Sequence, residues 1–169
     1  MKLVLPSKRY YQSYIEAINE YKEHNVDTYA FLDVTKYDIF EKIENARTSN
    51  DLPVGYVNAT YLWLVDGKEF IGEVSIRHRL TDALLRFGGN IGYGIRYSKW
   101  NKGIGTNMLS MALDYSKEVL KLEKVLITCN DNNYGSARVI EKNGGILQDK
   151  ILNTIDGVDR ITRRYWINI

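Results

Sequence analysis

Apolar and polar positions change their period several times along the chain, and each change marks an element. Leu3 to Leu5 is a short apolar run closed by Pro6, which predicts a strand. From Lys8 to about Asn25, behind Ser7 as a capping residue, Tyr11, Tyr14, Ile15, Ile18 and Tyr21 recur at helical spacing. A second helical pattern runs from Tyr37 to Ala46 through Ile39, Phe40 and Ile43. Thr48 to Asn58, with Pro53 and Gly55, is a loop. The period then falls to two. Thr60 to Val65 and Glu69 to Leu80 predict a hairpin around Asp66-Gly67. On its second strand Val74, Ile76, His78 and Leu80 share one face, and Ser75, Arg77 and Arg79 the other.

Thr81 to Phe87 predicts a brief helical turn before Gly88-Gly89, Asn90 to Arg96 a strand, and Tyr97 to Lys102 a polar loop. The strongest helical stripe follows over Gly103 to Leu120, through Ile104, Met108, Met111, Ala112, Tyr115 and Val119. The apolar run within Lys124 to Cys129 predicts a strand buried on both faces. Gly135 to Asn143 is a further helix, stopped by Gly144-Gly145. Ile146 to Ile155 and Arg160 to Ile167 form a closing hairpin around Asp156-Gly157. Without repeats or a linker, residues 1–169 predict one domain of mixed α and β structure.

Composition narrows the partners. A net charge of +2, carried by interspersed residues, argues against nucleic acid. Cys129 is the one cysteine, which excludes an internal disulfide and a cysteine-based zinc site, and the two histidines stand apart, so no metal site is expected. The N-terminal apolar run is too short for a secretion signal or a membrane span, giving a cytoplasmic expectation.

The segment with most chemistry is strand, polar loop, Gly103-Ile104-Gly105-Thr106, helix. A helix start offers unpaired N–H groups and the positive end of the helix dipole, and glycine lets a phosphate approach them. Gly105 is followed by Thr106-Asn107 rather than the Lys-Ser or Lys-Thr of a P-loop, and Gly89, Gly92 and Gly94 have the wrong order for a dinucleotide fingerprint. An isolated glycine pair is also compatible with a tight turn that holds nothing.

Taken together, Ile91-Gly92-Tyr93-Gly94-Ile95-Arg96, Lys102-Gly103-Ile104-Gly105-Thr106, Val125-Leu126-Ile127-Thr128-Cys129-Asn130, Asn133-x-x-Ser136 and Glu141-Lys142-Asn143-Gly144 resemble the acetyl-CoA core of GNAT N-acetyltransferases. Within that superfamily the chain is similar to a bacterial group marked by Arg77-His78-Arg79-Leu80 and a Gly-Gly-His-Ile-Gly-Tyr segment. The resemblance implies a mostly antiparallel central sheet with two splayed central strands and helices on both faces. It implies acetyl-CoA as cosubstrate, with pantetheine along the strand at Ile95 and pyrophosphate on amides from Trp100 through Lys102, Gly103, Ile104 and Gly105 to Thr106. Asn133 and Ser136 would contact it from the other side, and the acetyl group would pass directly to a small-molecule or peptide amine. A monomer or homodimer fits the family.

Three positions depart from the pattern. Trp100 stands where the phosphate loop carries Arg or Gln, Ile140 where many members place an acidic tyrosine, and Asn90 where the bacterial group has histidine. His78, Asn90 and Tyr134 are therefore the catalytic candidates, and Arg77 and Tyr93 the candidates for acceptor binding. Each has a plainer reading: His78 and Tyr93 as core residues, Arg77 as a solvated strand charge. The altered positions also leave open a non-catalytic acyl-CoA-binding or regulatory protein.

Overall fold

The structure, a computed structural model, describes residues 1–26, 31–32, 34–36, 38–155 and 157–169. Tyr37 and Asp156, expected in the second helix and the last turn, lie outside the described residues. Strands β1 (Lys2–Val4), β2 (Ala59–Asp66), β3 (Glu69–Arg77) and β4 (Ile91–Ile95) form one sheet, in that order. A second sheet has the order β5 (Lys124–Asn130), β7 (Val158–Asn168), β6 (Ile146–Ile155), and all ladders in both sheets are antiparallel.

Strand alternation gives the first sheet two buried faces. Val74 and Ile76 of β3 and Ile91 of β4 pack with Leu109, Ala112 and Leu113 of helix α4 (Ile104–Glu118). Trp63, Val65 and Phe70 pack on the opposite face under α1 (Tyr11–Glu23) and α2 (Ile39–Thr48). Three α1 tyrosines, Tyr10 at its cap, Tyr14 and Tyr21, are buried, so the tyrosine-rich composition is in part core; Tyr14 stacks on Trp63 with ring centroids 4.7 Å apart. Helices thus cover both faces.

Local chemistry moved several boundaries. Ser7 makes no capping bond, and a 3-10 turn over Lys8–Tyr10 precedes α1. Asp38 is the cap that pattern reasoning missed, accepting from the Phe40 and Glu41 N–H groups to start α2. β3 ends at Arg77, short of the expected Leu80; His78 just beyond it still donates its N–H to Asn58 O and turns its ring to Thr60, the cross-strand partner of Ile76. Helix α3 (Asp82–Arg86) is capped by Thr81, and α5 (Tyr134–Lys142) by Asn133.

β4 and β5 are edge strands of different sheets, and the chain joins them at one end only. The Asn90 N–H donates to the Leu126 carbonyl (2.7 Å), and the Leu126 N–H donates to Asn90 Oδ1 (2.8 Å). Gly88 N–H adds a bond to Thr128 Oγ1 (2.9 Å). Beyond this junction neither strand pairs with the other, which is the splay the resemblance implied.

Candidate active site

The loop after β4 turns into α4 through Gly103, whose φ of +72° puts it in the left-handed region. A Cβ there would meet nothing within 4 Å, so the approach to the helix start is open. The first intrahelical bond runs from Asn107 N–H to Gly103 O (3.3 Å), leaving the amides of Ile104, Gly105 and Thr106 without an acceptor in the helix. No side chain caps them. Lys102 lies beside this cradle, its Nζ donating to Ser98 O (2.9 Å).

Register fixes what β4 offers. Arg96 N–H donates to Ile71 O, and Arg77 N–H to Asn90 O, so the Arg96 amide and the Asn90 carbonyl face β3, while the Asn90 N–H is already turned to Leu126 of β5. By the alternation of an antiparallel ladder, Ile91, Tyr93 and Ile95 turn theirs toward the gap before β5. The Ile95 carbonyl is taken: Trp100 Nε1 donates to it (2.7 Å), as does the Tyr21 hydroxyl. Trp100, at the position of a charged or amide residue in the family pattern, thus ties the loop to the strand while its ring stays 40% exposed. Arg96 fixes the same loop to α1 through Glu20 (2.6 Å). Burial raises the Glu20 carboxyl, but bonds from Ser98 and Arg96 outweigh this and hold it below its usual range.

Where the two strands diverge a cavity of about 550 Å³ opens. Its walls come from β3 (Ser75, Arg77), β4 (Ile91, Gly92, Tyr93), the end of β5 (Thr128, Cys129, Asn130), α5 and its cap (Asn133, Ser136) and the last hairpin (Ile155, Arg160, Thr162). Tyr93 Oη and Ser136 Oγ are 2.9 Å apart, bridging the two sides. Burial raises the Tyr93 hydroxyl well beyond the ordinary phenol range and pushes the Cys129 thiol up to about 11, so both stay protonated at neutral pH.

Arg77, Tyr93, Asn133 and Ser136 are therefore brought together, and the three catalytic candidates are not. His78 Nε2 pairs with Thr60 Oγ1 (2.8 Å) away from the cavity lining, and burial lowers its pKa. Tyr134 is 63% exposed, with the Arg163 guanidinium 5.4 Å from its ring centroid. Asn90 is buried and uses both ends of its amide, accepting from Leu126 N–H and donating to Arg77 O (3.2 Å). It is a bracket between the sheets. Asn90→Leu is expected to cost roughly 1–3 kcal/mol by orphaning the Leu126 N–H; an unchanged urea midpoint would remove that role. Ile140 is core, with no exposure. Sequence reasoning missed Thr128, Arg160 and Thr162, because only sheet pairing brings them to the cavity.

A family profile described as Acetyltransferase (GNAT) domain matches residues 13–146. The chain belongs to the GNAT acetyltransferase family. Its chemistry is the acetyl-CoA-dependent acetyl transfer of that family. Solved GNAT structures share the fold of this acetyltransferase across nearly its whole length. A mutant of spermidine N-acetyltransferase SpeG from Vibrio cholerae is 18% identical, covering 99% of this chain and 95% of its own, with a TM-score of 0.67. A ribosomal-protein alanine acetyltransferase from Vibrio fischeri is 15% identical, covering 98% and 91%, with a TM-score of 0.72. The microcin self-immunity acetyltransferase MccE, in complex with acetyl-CoA and AMP, is 19% identical, covering 99% and 91%, with a TM-score of 0.70. A comparison with curated protein sequences finds no match. Among the described residues, no helix of this GNAT protein is long and apolar enough to cross a membrane.

Proposed function

We propose that this acetyltransferase binds acetyl-CoA in the gap between β4 and β5 and passes its acetyl group directly to an amine held in the adjoining cavity. The observation that carries the reading is the alignment of three features: uncapped amides at the start of α4, free backbone groups on the β4 edge, and a cavity at the far end of that edge. The open space at Gly103 fits a pyrophosphate resting on the amides of Ile104 to Thr106. The Tyr93 and Ile95 N–H groups suit pantetheine and thioester oxygens, Asn133 and Ser136 face them from α5, and Trp100 and Lys102 shape the entry.

Acetyl-CoA supplies an acetyl thioester, whose carbonyl carbon the amine nitrogen attacks as the carbon–sulfur bond breaks. A β4 N–H, at Tyr93 by register, polarises that carbonyl. Tyr93 and Cys129, both protonated and both in the cavity lining, are placed to donate hydrogen bonds to the departing thiolate, which takes up, directly or through solvent, the proton that the nitrogen loses as the amide forms. Neither serves as a base, and the described lining contains no His, Asp or Glu. The amine therefore arrives neutral or sheds its proton to solvent, and holding it in line supplies the acceleration.

Gly103→Asp tests the cradle without damaging the helix. Aspartate tolerates the left-handed region and is a favourable charge at a helix start, yet it repels a pyrophosphate there. Calorimetry is expected to show acetyl-CoA binding to the wild type and a loss on the order of 100-fold in the variant, from the new charge and the occupied amides. A folded wild type that binds no acetyl-CoA would end the proposal.

A further inference from the structure

The half-buried arginines divide into two groups. Arg47 pairs with Glu44, Arg96 with Glu20, Arg163 with Asp131 and Arg164 with Asp149. Arg77 and Arg160 have no carboxylate partner among the described residues, and both line the cavity. Arg77 is the better placed. Its Nη1 donates to the Gly88 carbonyl (3.2 Å), a single bond from a group with five N–H donors. Burial lowers its pKa, with only a small offset from Tyr61. Desolvating a guanidinium without an acid to receive it is costly unless a ligand completes the pair.

Position adds the second half of the argument. The built Cβ of Gly92 would lie 3.4 Å from Arg77 Nη1, so the missing side chain is what lets the guanidinium lie along β4. Gly92 adjoins Tyr93, whose N–H faces the gap, so the guanidinium lies against the strand residue next to the proposed reacting centre. An anion on Arg77 and an amine at the thioester would be only a few bonds apart. The described walls hold two arginines and no acid, which is the wrong lining for a polyamine.

We infer that the acceptor is an amine carrying a carboxylate a few bonds from its nitrogen, an amino acid or close analogue, and that Arg77 holds the carboxylate. Leu84, Phe87 and Ile155 provide an apolar wall for its side chain. The inference rests on the acetyl-transfer reading above and names the substrate class of the same cavity.

The test pairs each acceptor with its decarboxylated counterpart: leucine with isopentylamine and phenylalanine with phenethylamine, plus spermidine. Binding is read by calorimetry with CoA present, and acetylation by thiol release. At least one amino acid is expected to bind about tenfold or more tightly than its matched amine, the scale of one charge-assisted bidentate pair. Arg77→Gln should abolish that preference while acetyl-CoA affinity stays within about twofold of wild type. Should the glutamine variant fold poorly, Arg77→Lys keeps the charge without the fork and should lose most of the preference. Equal or tighter binding of the matched amines or spermidine, a preference that survives both variants, or no binding by either amino acid overturns the inference. Failure of the wild type to bind acetyl-CoA would instead strike the acetyl-transfer reading.

Discussion

Gly89→Ala is expected to cost more than about 4 kcal/mol and to leave little folded protein at ambient temperature. Two terms add. Gly89 has a φ of +61°, where an alanine is strained by about 1–2 kcal/mol. Its added Cβ would lie 2.4 Å from the Leu126 carbonyl oxygen, a backbone atom already fixed by the Asn90 N–H. Relief requires moving β5 away from the segment that joins the sheets, which breaks the Asn90 bracket as well. Gly67→Ala separates the terms: its φ of +57° is similar, but nothing lies within 4 Å of the built Cβ. That control should lose only the strain. Urea denaturation of both decides the matter, and equal midpoints would mean that the close approach at Gly89 carries no energy.

Glu73→Gln should act in the opposite sense and depend on pH. Glu73 is 2% exposed, opposite Trp63 in the β2–β3 ladder, and Trp63 Nε1 donates to Glu73 Oε2 (2.7 Å). Burial pushes the carboxyl from 4.5 up to about 8, against a smaller lowering by the Trp63 bond. A folded pKa above the unfolded one means that the folded state holds the proton longer. The stabilising contribution is complete below pH 4.5 and is lost as the pH rises toward 8. Each pH unit in that window is worth at most about 1.4 kcal/mol, so the total is a few kcal/mol. Glutamine keeps an acceptor for Trp63 and never ionises. The variant should therefore gain on the wild type steadily from pH 5 to pH 8.5, read as the difference in urea midpoints. Taking that difference cancels His78, whose lowered pKa removes stability as the solution becomes more acid. A constant difference across the range would show that Glu73 does not titrate in the folded protein.

Much of the scaffold was legible because local chemistry wrote it. The hairpin expected around Asp66-Gly67 forms with its turn one residue later, at Gly67-Lys68 between the paired Asp66 and Glu69, and the Gly103 segment opens α4 within one residue of the expected start. Gly144, in the left-handed region, stops α5 as expected. The end of β3 was not legible, since period-two alternation runs on to Leu80 while the ladder stops where neighbouring strands stop. The candidate site divided in the same way. Motif spacing singles out Tyr93 and Ser136, and residue type and strand face single out Arg77, and all three lie in the cavity lining. Nothing local distinguishes Asn90 as a bracket from Asn90 as a proton handler. That depends on Leu126, thirty-six residues away in the chain. Thr162 reaches the cavity because β7 lies beside β5, and Arg160, two residues earlier on β7, lies where that strand pairs with β6.

The free edge of β4 has a consequence for the molecule before any ligand arrives. An unpaired strand edge invites another chain to add itself as a further strand, the first step of edge-to-edge aggregation. Here the edge cannot be closed by β5 without losing the gap. Other devices guard it: five residues of length, two glycines that weaken strand pairing, Arg77 and Arg96 at its two ends, and α5 facing it through the Tyr93–Ser136 contact. A pantetheine chain lying there would satisfy the same backbone groups that a stray strand would seek. Ligand occupancy would then favour solubility as well as folding, by covering one of the sheet edges, beside those of β1, β5 and β6, through which copies of this chain could pair.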